Sequence, residues 1–320
     1  MRIFVIGCGR WGSLITWYLN RIGHDVTLYG RKESKRMQSF LATRKNDLLE
    51  LPASVGLTTE LAGVKEADTV IISVNSQGLQ HLMDELKPLG LRNKTFVLCM
   101  KGVEIGTGRR LSQIAAENLH ESNRVAVWLG PGHVQEFYRG IPNCMVIDSA
   151  DEETKERLIA AFSGDLIRFY YGSDLIGNEV GAAAKNVVGI AAGMLDGAGL
   201  SSLKGALMSR GTREVARLIH AMGGSELSAY GLCHLGDYEA TVFSRWSHNR
   251  QFGESFIRGE SYNKLAEGYY TVKALLELGE QYGVDLPICR AVYDILYEQA
   301  NPDEVLQVLF ARGLKGEFEK

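Results

Sequence analysis

Hydrophobic positions in the first half of the chain fall in short unbroken runs separated by helix-length stretches. Residues 3–6 (IFVI), 69–74 (TVIISV), 95–100 (TFVLCM) and 125–129 (VAVWL) are apolar at nearly every position. Such runs suit strands covered on both faces of a parallel sheet. Residues 24–29, 143–148 and 166–171 read as further strands. Residues 11–22, 80–86, 111–119 and 152–163 read as helices between them, with helix and loop over 37–56. Strands alternating with helices predict a doubly wound α/β sheet. The alternation ends at Tyr171. Beyond it the pattern is helical: 176–199, then 214–222 closed by Gly223 and Gly224. A further helix opens at Glu267 and Gly268 toward Gly279, and 287–301 and 302–310 close the chain. The charged tail from Leu314 is expected to fray. Gly172, Ser173 and Asp174 read as a turn followed by a helix cap. They divide the chain into an α/β domain over 1–172 and an all-helical domain over 173–320.

The first strand runs into Gly7-Cys8-Gly9-Arg10-Trp11-Gly12, a G-x-G-x-x-G spacing. Gly7 can make the tight turn, Gly9 lets a pyrophosphate approach the backbone, and Gly12 lets the next helix pack on the strand. The helix N-terminus offers free N–H groups and a partial positive charge to phosphate. Glycines also make plain turns, so the motif alone is weak. Opening a strand–turn–helix with a second strand behind it, it points to dinucleotide binding and a Rossmann-type, mostly parallel sheet. In NAD-selective domains an acid usually ends the second strand and accepts from the ribose 2′-OH. Here Gly30, Arg31 and Lys32 follow it, with Lys35 and Arg36 close behind. Arg31 suits stacking on adenine or pairing with a 2′-phosphate; the competing reading is a solvated loop. NADP(H) is the expected cofactor and NAD(H) the alternative. Other strand ends, where ligands of open sheets lie, carry Asn75-Ser76-Gln77, Lys101-Gly102 and Gly130-Pro131-Gly132-His133.

Residues 176–199 are crowded with glycine and alanine, and Lys185 sits in their midst. Burial would lower its pKa, which catalysis exploits; otherwise its stem lies on apolar surface and its head reaches water. Asp174, Glu179, Lys185 and Asp196 argue against a membrane span here, and no apolar run nears the ~20 residues a span needs. Polar residues gather near glycines in 231–237 (GLCHLGD) and 247–253 (SHNRQFG). A length of 320 residues allows two domains. A net charge of −3 offers no basic field for nucleic acid. The five scattered cysteines contain no C-x-x-C pair, so neither disulfides nor a metal site is expected, and a reducing cytoplasm fits. The N-terminal apolar run is too short for a signal peptide.

Together these pieces resemble the bacterial form of the NAD(P)-dependent glycerol-3-phosphate dehydrogenase family, over nearly the whole chain. The resemblance rests on Gly7-Cys-Gly-Arg-Trp-Gly12, Leu28-Tyr-Gly-Arg31, Lys101-Gly-Val-Glu104, Gly130-Pro131 with Glu136, and Gly172-Ser-Asp-Leu-Ile-Gly177. It continues through Lys185-Asn186-Val187, Ser209-Arg-Gly211, Gly236-Asp237, Ser247-x-Asn249-Arg250 with Phe252-Gly253, and Glu267-Gly268. It implies reversible hydride transfer between NAD(P)H and a small phosphorylated substrate. Dihydroxyacetone phosphate would become sn-glycerol 3-phosphate for phospholipid synthesis, in a cytoplasmic homodimer with no metal. Lys185 would be the general acid/base, with Lys101 and Asp237 beside it. Substrate would meet Lys101, Gly130, Gly132, Lys185, Asp237, Ser247, His248 and Asn249. Cofactor would meet Gly7, Gly9, Arg10, Trp11, Gly12, Arg31, Lys32, Lys101, Val134, His248, Leu265 and Glu267.

The chain departs from the family in three places. Asn75 stands where the family has proline. Gly132 and His133 stand where it has serine or threonine and then phenylalanine. His248 replaces the arginine that clamps the substrate phosphate, a bidentate grip histidine cannot copy. All three fall where substrate is expected. One alternative is therefore a related dehydrogenase acting on a different phosphorylated, phosphonate or small hydroxy-acid substrate. Another is a redox-sensing protein that binds the dinucleotide without catalysis. Arg245 or Arg250 could take over the phosphate.

Overall fold

The computed structural model describes residues 1–313, 316 and 317. The fraying expected from Leu314 falls, for 314, 315 and 318–320, outside the described residues. The chain forms two compact units, 1–100 with 111–175, and 101–110 with 176–320. The expected boundary at 172 thus moves to 175, and 101–110 belongs with the helices. That segment is anchored there by its own contacts. Val103 is buried in the helical core, Gly106 N donates to Glu277 Oε2 at 2.8 Å, and Arg110 pairs with the buried Glu179 at 2.6 Å.

The first unit runs β1 (Arg2–Ile6), α1 (Arg10–Arg21), β2 (Asp25–Tyr29), α2 (Lys35–Thr43) and β3 (Gly56–Thr58). It continues with β4 (Thr69–Ile72), α3 (Leu79–Leu86), β5 (Thr95–Leu98) and, after the excursion of 101–110, α4 (Leu111–Asn118). Then follow β6 (Arg124–Leu129), α5 (Val134–Tyr138), β7 (Asn143–Ser149), α6 (Glu152–Phe162) and β8 (Ile167–Tyr171). The strands form one sheet in the order β3-β2-β1-β4-β5-β6-β7-β8. Phe4, Val5, Ile71 and Ile72 lie in its centre and are buried, as the unbroken apolar runs require. The order reverses between β1 and β4, which places the ligand crevice of such a sheet beyond their C-terminal ends.

Every neighbouring pair is parallel except β6 and β7. The alternating pattern did not foretell this reversal, and its cause is the connection. A parallel neighbour needs a crossover that carries the chain back along the whole strand, usually a full helix. The five residues of α5 span only about 7 Å, against about 23 Å for the seven-residue β7. The chain therefore returns beside β6 in the opposite sense.

The second unit is helical: α7 (Leu175–Gly197), α8 (Lys204–Ala221), α9 (His248–Ile257), α10 (Glu267–Tyr282), α11 (Pro287–Tyr297) and α12 (Pro302–Phe310). Among the described residues no helix is long and apolar enough to cross a membrane. The long α7 is its axis, buried at nearly every position from Gly177 to Met194. Residues 177, 181, 185, 189, 193 and 197 form one row at four-residue spacing, and all but Lys185 are glycine. The spacing places them on a single ridge. A Cβ on Gly193 would lie 1.9 Å from Arg250 O, and one on Gly197 2.8 Å from Glu254 O. From the other side, a Cβ on Gly253 would lie 2.1 Å from Ile190 O. The backbones of α7 and α9 touch, as small residues at this spacing permit.

Each interior glycine costs roughly 0.5–1 kcal/mol of helix stability relative to alanine. Gly193→Ala should nevertheless destabilise the protein, by about 1–3 kcal/mol, because α9 has to move. Gly205, near the start of α8, has open space where its Cβ would be. Gly205→Ala should stabilise by up to about 1 kcal/mol. Urea unfolding midpoints moving in opposite directions for the two variants would bear this out, and a neutral Gly193→Ala would refute the close packing.

Candidate active site

The glycine turn belongs to the first unit. Gly7 has φ +115°, and a Cβ there would sit 2.2 Å from Ser73 O; one on Gly12 would sit 1.9 Å from Gly7 O. The fold itself demands these two glycines. Gly9 is different. Its Cβ would meet only Arg36 Nη1, at 3.8 Å, so space is open above the turn. Gly9 also caps α1 without a side-chain hydrogen bond, which leaves the first N–H groups of the helix to a ligand. Open space, bare donors and a helix N-terminus are what a dinucleotide pyrophosphate requires.

The neighbouring residues are placed as follows. Arg10 donates to Gln135 Oε1 at 3.3 Å, and the Trp11 ring stands edge-on to Phe137 at 5.9 Å. Arg31 pairs with Glu85. Lys32 is exposed. The Val134 side chain is buried in the core, so only its backbone can face a ligand. Two of the departures from the family pattern have local reasons. Asn75 has φ −64°, the angle a proline ring imposes, and its Oδ1 caps the following turn by accepting from Gln77 N at 3.0 Å. Gly132 has φ +143°, and a Cβ there would lie 2.2 Å from the Phe137 ring, so a serine or threonine does not fit. Gly130, with φ +126°, packs on Met145.

The second unit gathers the lysines. Lys185 Nζ lies 2.9 Å from Asp237 Oδ2 and donates to Thr241 Oγ1 at 2.8 Å. Lys101 Nζ reaches the same carboxylate oxygen at 2.6 Å. Asp237 ends a 3₁₀ turn, Leu235–Asp237, and Thr241 lies in a π-helical turn, Glu239–Phe243. Turns of that rare kind concentrate at functional sites. The other carboxylate oxygen, Asp237 Oδ1, is buried and has no partner. Burial is the main force on Lys185 and disfavours its ammonium, and the charge of Lys101 acts in the same direction. Asp237 and Glu267 oppose them, and the pKa is pushed down to about 8.

Behind Asp237, His234 is fully buried. Burial pushes its pKa down to about 4, so the ring is neutral. Its Nδ1–H donates to Gly181 O at 2.8 Å, which makes Nε2 the acceptor for the Tyr238 hydroxyl at 2.7 Å. This strap ties the Asp237 turn to α7. A second strap starts at Asn186, whose Nδ2 donates to Lys101 O at 3.2 Å. Its Oδ1 accepts from Asn249 Nδ2 at 3.0 Å, and Asn249 Oδ1 accepts from Gly268 N at 2.9 Å. Ser247 caps α9 by accepting from Arg250 N at 3.3 Å. His248 is half-buried, its ring 6.4 Å from that of Tyr262.

The structure thus brings Lys101, Lys185 and Asp237 together, and joins Asn249 to them through Asn186. Leu265 is exposed, and Glu267 opens α10. Arg250 is committed elsewhere, to Asp196 at 2.6 Å and Glu254 at 2.9 Å. Arg245 is exposed with its guanidinium over the Trp246 ring. Arg250 thus anchors α9 to α7 through Asp196. Sequence reasoning passed over Asn186 and Thr241 as site residues. The Lys-Asn pair and the four-residue step from Asp237 to Thr241 were the signals available. A cavity of about 640 Å³ in this unit, walled by Met194, Leu207, Ile288 and Leu306, includes none of these residues.

A doubly wound sheet with a bare glycine turn, continued in the same chain by a helical unit with a buried lysine–aspartate pair, defines a dinucleotide-dependent oxidoreductase. Sequence models of the NAD-dependent glycerol-3-phosphate dehydrogenase N-terminus and C-terminus match residues 2–155 and 174–307. The glycerol-3-phosphate dehydrogenase [NAD(P)+] of Thermoanaerobacter sp. is 34% identical over 99% of both chains, and that of Thermotoga sp. is also 34% identical over 99% of both. The crystal structure of glycerol-3-phosphate dehydrogenase from Coxiella burnetii superposes with a TM-score of 0.90 at 27% identity, covering 97% of this chain and 98% of that one. The chain belongs to the NAD-dependent glycerol-3-phosphate dehydrogenase family and is an NAD(P)-dependent oxidoreductase acting on a CH–OH group.

Asp237 is the only carboxylate bonded to the Lys185 amine among the described residues. Asp237→Asn would leave Lys101 and Lys185 adjacent with only Glu267 to oppose them, and the Lys185 pKa should fall further. If Lys185 supplies the proton in the reductive direction, the pH at which that turnover declines should then drop by about one unit or more. An unchanged pH–kcat profile would show that Asp237 does not set the lysine's charge.

Proposed function

We propose that this protein catalyses the reversible NAD(P)H-dependent reduction of dihydroxyacetone phosphate to sn-glycerol 3-phosphate. The observation that carries the proposal is the buried Lys185 amine, held between Asp237 and Thr241 with its pKa near 8. A general acid/base works best with a pKa close to the working pH. The nicotinamide, when bound, supplies or removes the hydride at C2 of the substrate. Lys185 as an ammonium gives its proton to the C2 oxygen as negative charge develops there. In the reverse direction the neutral amine takes that proton from the hydroxyl. Asp237 aims the amine, and Lys101 adds a second positive charge beside the developing alkoxide. Gly9 and the N-terminus of α1 would hold the cofactor pyrophosphate. Asn249 and His248, in the first turn of α9, suit the substrate phosphate, since a helix N-terminus favours anions. The relatives' use of either NAD+ or NADP+ supports the same breadth here, and the five free cysteines agree with a reducing cytoplasm. A homodimer is part of the same reading.

The second reading, a different phosphorylated, phosphonate or hydroxy-acid substrate, is favoured by one residue, His248. With an ordinary pKa of ~6.5 a histidine is only partly charged at neutral pH, where the family's arginine is always charged.

Lys185→Ala should lower turnover by ~10²–10⁴ and leave NADPH binding intact. In the native protein, reductive kcat should fall as pH rises past about 8 while oxidative kcat rises. Normal turnover by the variant would overturn the proposal. His248→Arg should lower KM for dihydroxyacetone phosphate, most clearly above pH 7. Loss of activity on some other substrate, with no gain on this one, would establish the second reading instead.

A further inference from the structure

The cations that follow β2 are not equivalent. Arg31 donates from Nη2 to both oxygens of Glu85, at 3.0 and 3.2 Å. Glu85 lies on α3, and His81 one turn earlier on that helix also reaches it, at 3.3 Å. Nη2 of Arg31 is therefore turned toward α3 and its charge is answered. Arg36 has neither a hydrogen bond nor an ion pair among the described residues. It is also the one side chain that comes near the open space over Gly9.

Arg36 is there because the first turn of α2 is clamped to the glycine turn. A Cβ on Gly30 would lie 2.7 Å from Cys8 Sγ and 2.8 Å from Met37 Cβ, so β2, the turn and α2 pack without a gap. Met37 is completely buried. Cys8 Sγ and Ser34 Oγ are 3.4 Å apart, and Ser34 Oγ caps α2 by accepting from Met37 N. The residue next to Met37 is thereby held at the mouth of the turn, on a helix start that itself favours negative charge.

We propose that Arg36, rather than Arg31, distinguishes NADPH from NADH by pairing with the 2′-phosphate, and that Glu85 withholds Arg31 from that role. The inference rests on the dinucleotide reading of the glycine turn. A phosphate on the adenosine ribose meets an uncommitted guanidinium at Arg36. At Arg31 it has to compete with a carboxylate that already holds Nη2. Arg suits the task because its planar donors match a phosphate.

The test is isothermal titration of the whole protein and its variants with NADPH, NADH and 2′,5′-ADP. Arg36→Gln should weaken NADPH and 2′,5′-ADP by about tenfold or more, the worth of a charge-assisted hydrogen bond, and leave NADH nearly unchanged. Arg31→Gln should weaken NADPH less than that. Glu85→Gln should tighten NADPH and 2′,5′-ADP by releasing Arg31. Unaltered NADH binding also certifies that each variant is folded. Equal weakening of NADPH and NADH by Arg36→Gln would place Arg36 on the pyrophosphate and overturn the proposal. So would a preference abolished by Arg31→Gln alone. A native protein that binds neither nucleotide would overturn the dinucleotide reading itself.

Discussion

The second unit depends on one steric constraint, the absence of side chains along the four-residue ridge of α7. Gly193 and Gly197 on that ridge, with Gly253 opposite, let the backbones of α7 and α9 meet. Gly189 lets Thr241 and Asn249 approach from the same side, and Gly181 admits His234. The one side chain on the ridge is Lys185. Its neighbours on the row have cleared the space that its amine enters, so the lysine is surrounded by the very segments the glycines admit. The helical propensity lost to these glycines is the cost of placing a single amine with little freedom to move.

The charges in that space are arranged to remain partly unbalanced. Two amines share one oxygen of Asp237, and the second oxygen is buried without a donor. A fully satisfied carboxylate between two lysines would have been more stable. An orphaned acceptor beside a lysine of lowered pKa is instead strain of the sort that functional sites retain. The surroundings resist relaxation. His234, at the start of the turn that carries Asp237, is too deeply buried to become charged and is bonded to Gly181 O and the Tyr238 hydroxyl, so that turn has little room to move toward a better partner.

Much of this was legible in the residues. Buried strands announced themselves as unbroken apolar runs, and Lys185 among glycines and alanines pointed to a buried charge, which elementary electrostatics makes costly. What was not legible depended on lengths and distant partners. The reversal of β7 follows from the shortness of α5, which no hydrophobic period reports. The assignment of 101–110 to the helical unit follows from Val103, Glu277 and Glu179, two of which lie far along the chain. The helix α8 begins ten residues before its readable stretch. Its first turns carry Gly205 and Gly211, weak helix formers, and Lys204 is held there by Asp196 and the Val242 carbonyl. Thr241 was hidden because a π-helical turn has no sequence period of its own.

The three departures from the family pattern looked alike in the sequence and are unlike in the structure. Asn75 keeps the backbone angle of the proline it replaces and adds a cap. Gly132 answers to Phe137 within its own unit, where a side chain has no room. Neither change needs a substrate to explain it. His248 is half-buried in the first turn of α9 with its ring beside that of Tyr262, and it is the departure that removes a permanent positive charge. Arg250, two residues on, is bound to Asp196 and Glu254 and cannot replace the missing guanidinium without breaking the anchor that holds α9. The question of substrate therefore narrows from three positions to one. It is a question of charge rather than shape, because the helix N-terminus still offers its dipole to an anion whether or not an imidazole stands beside it.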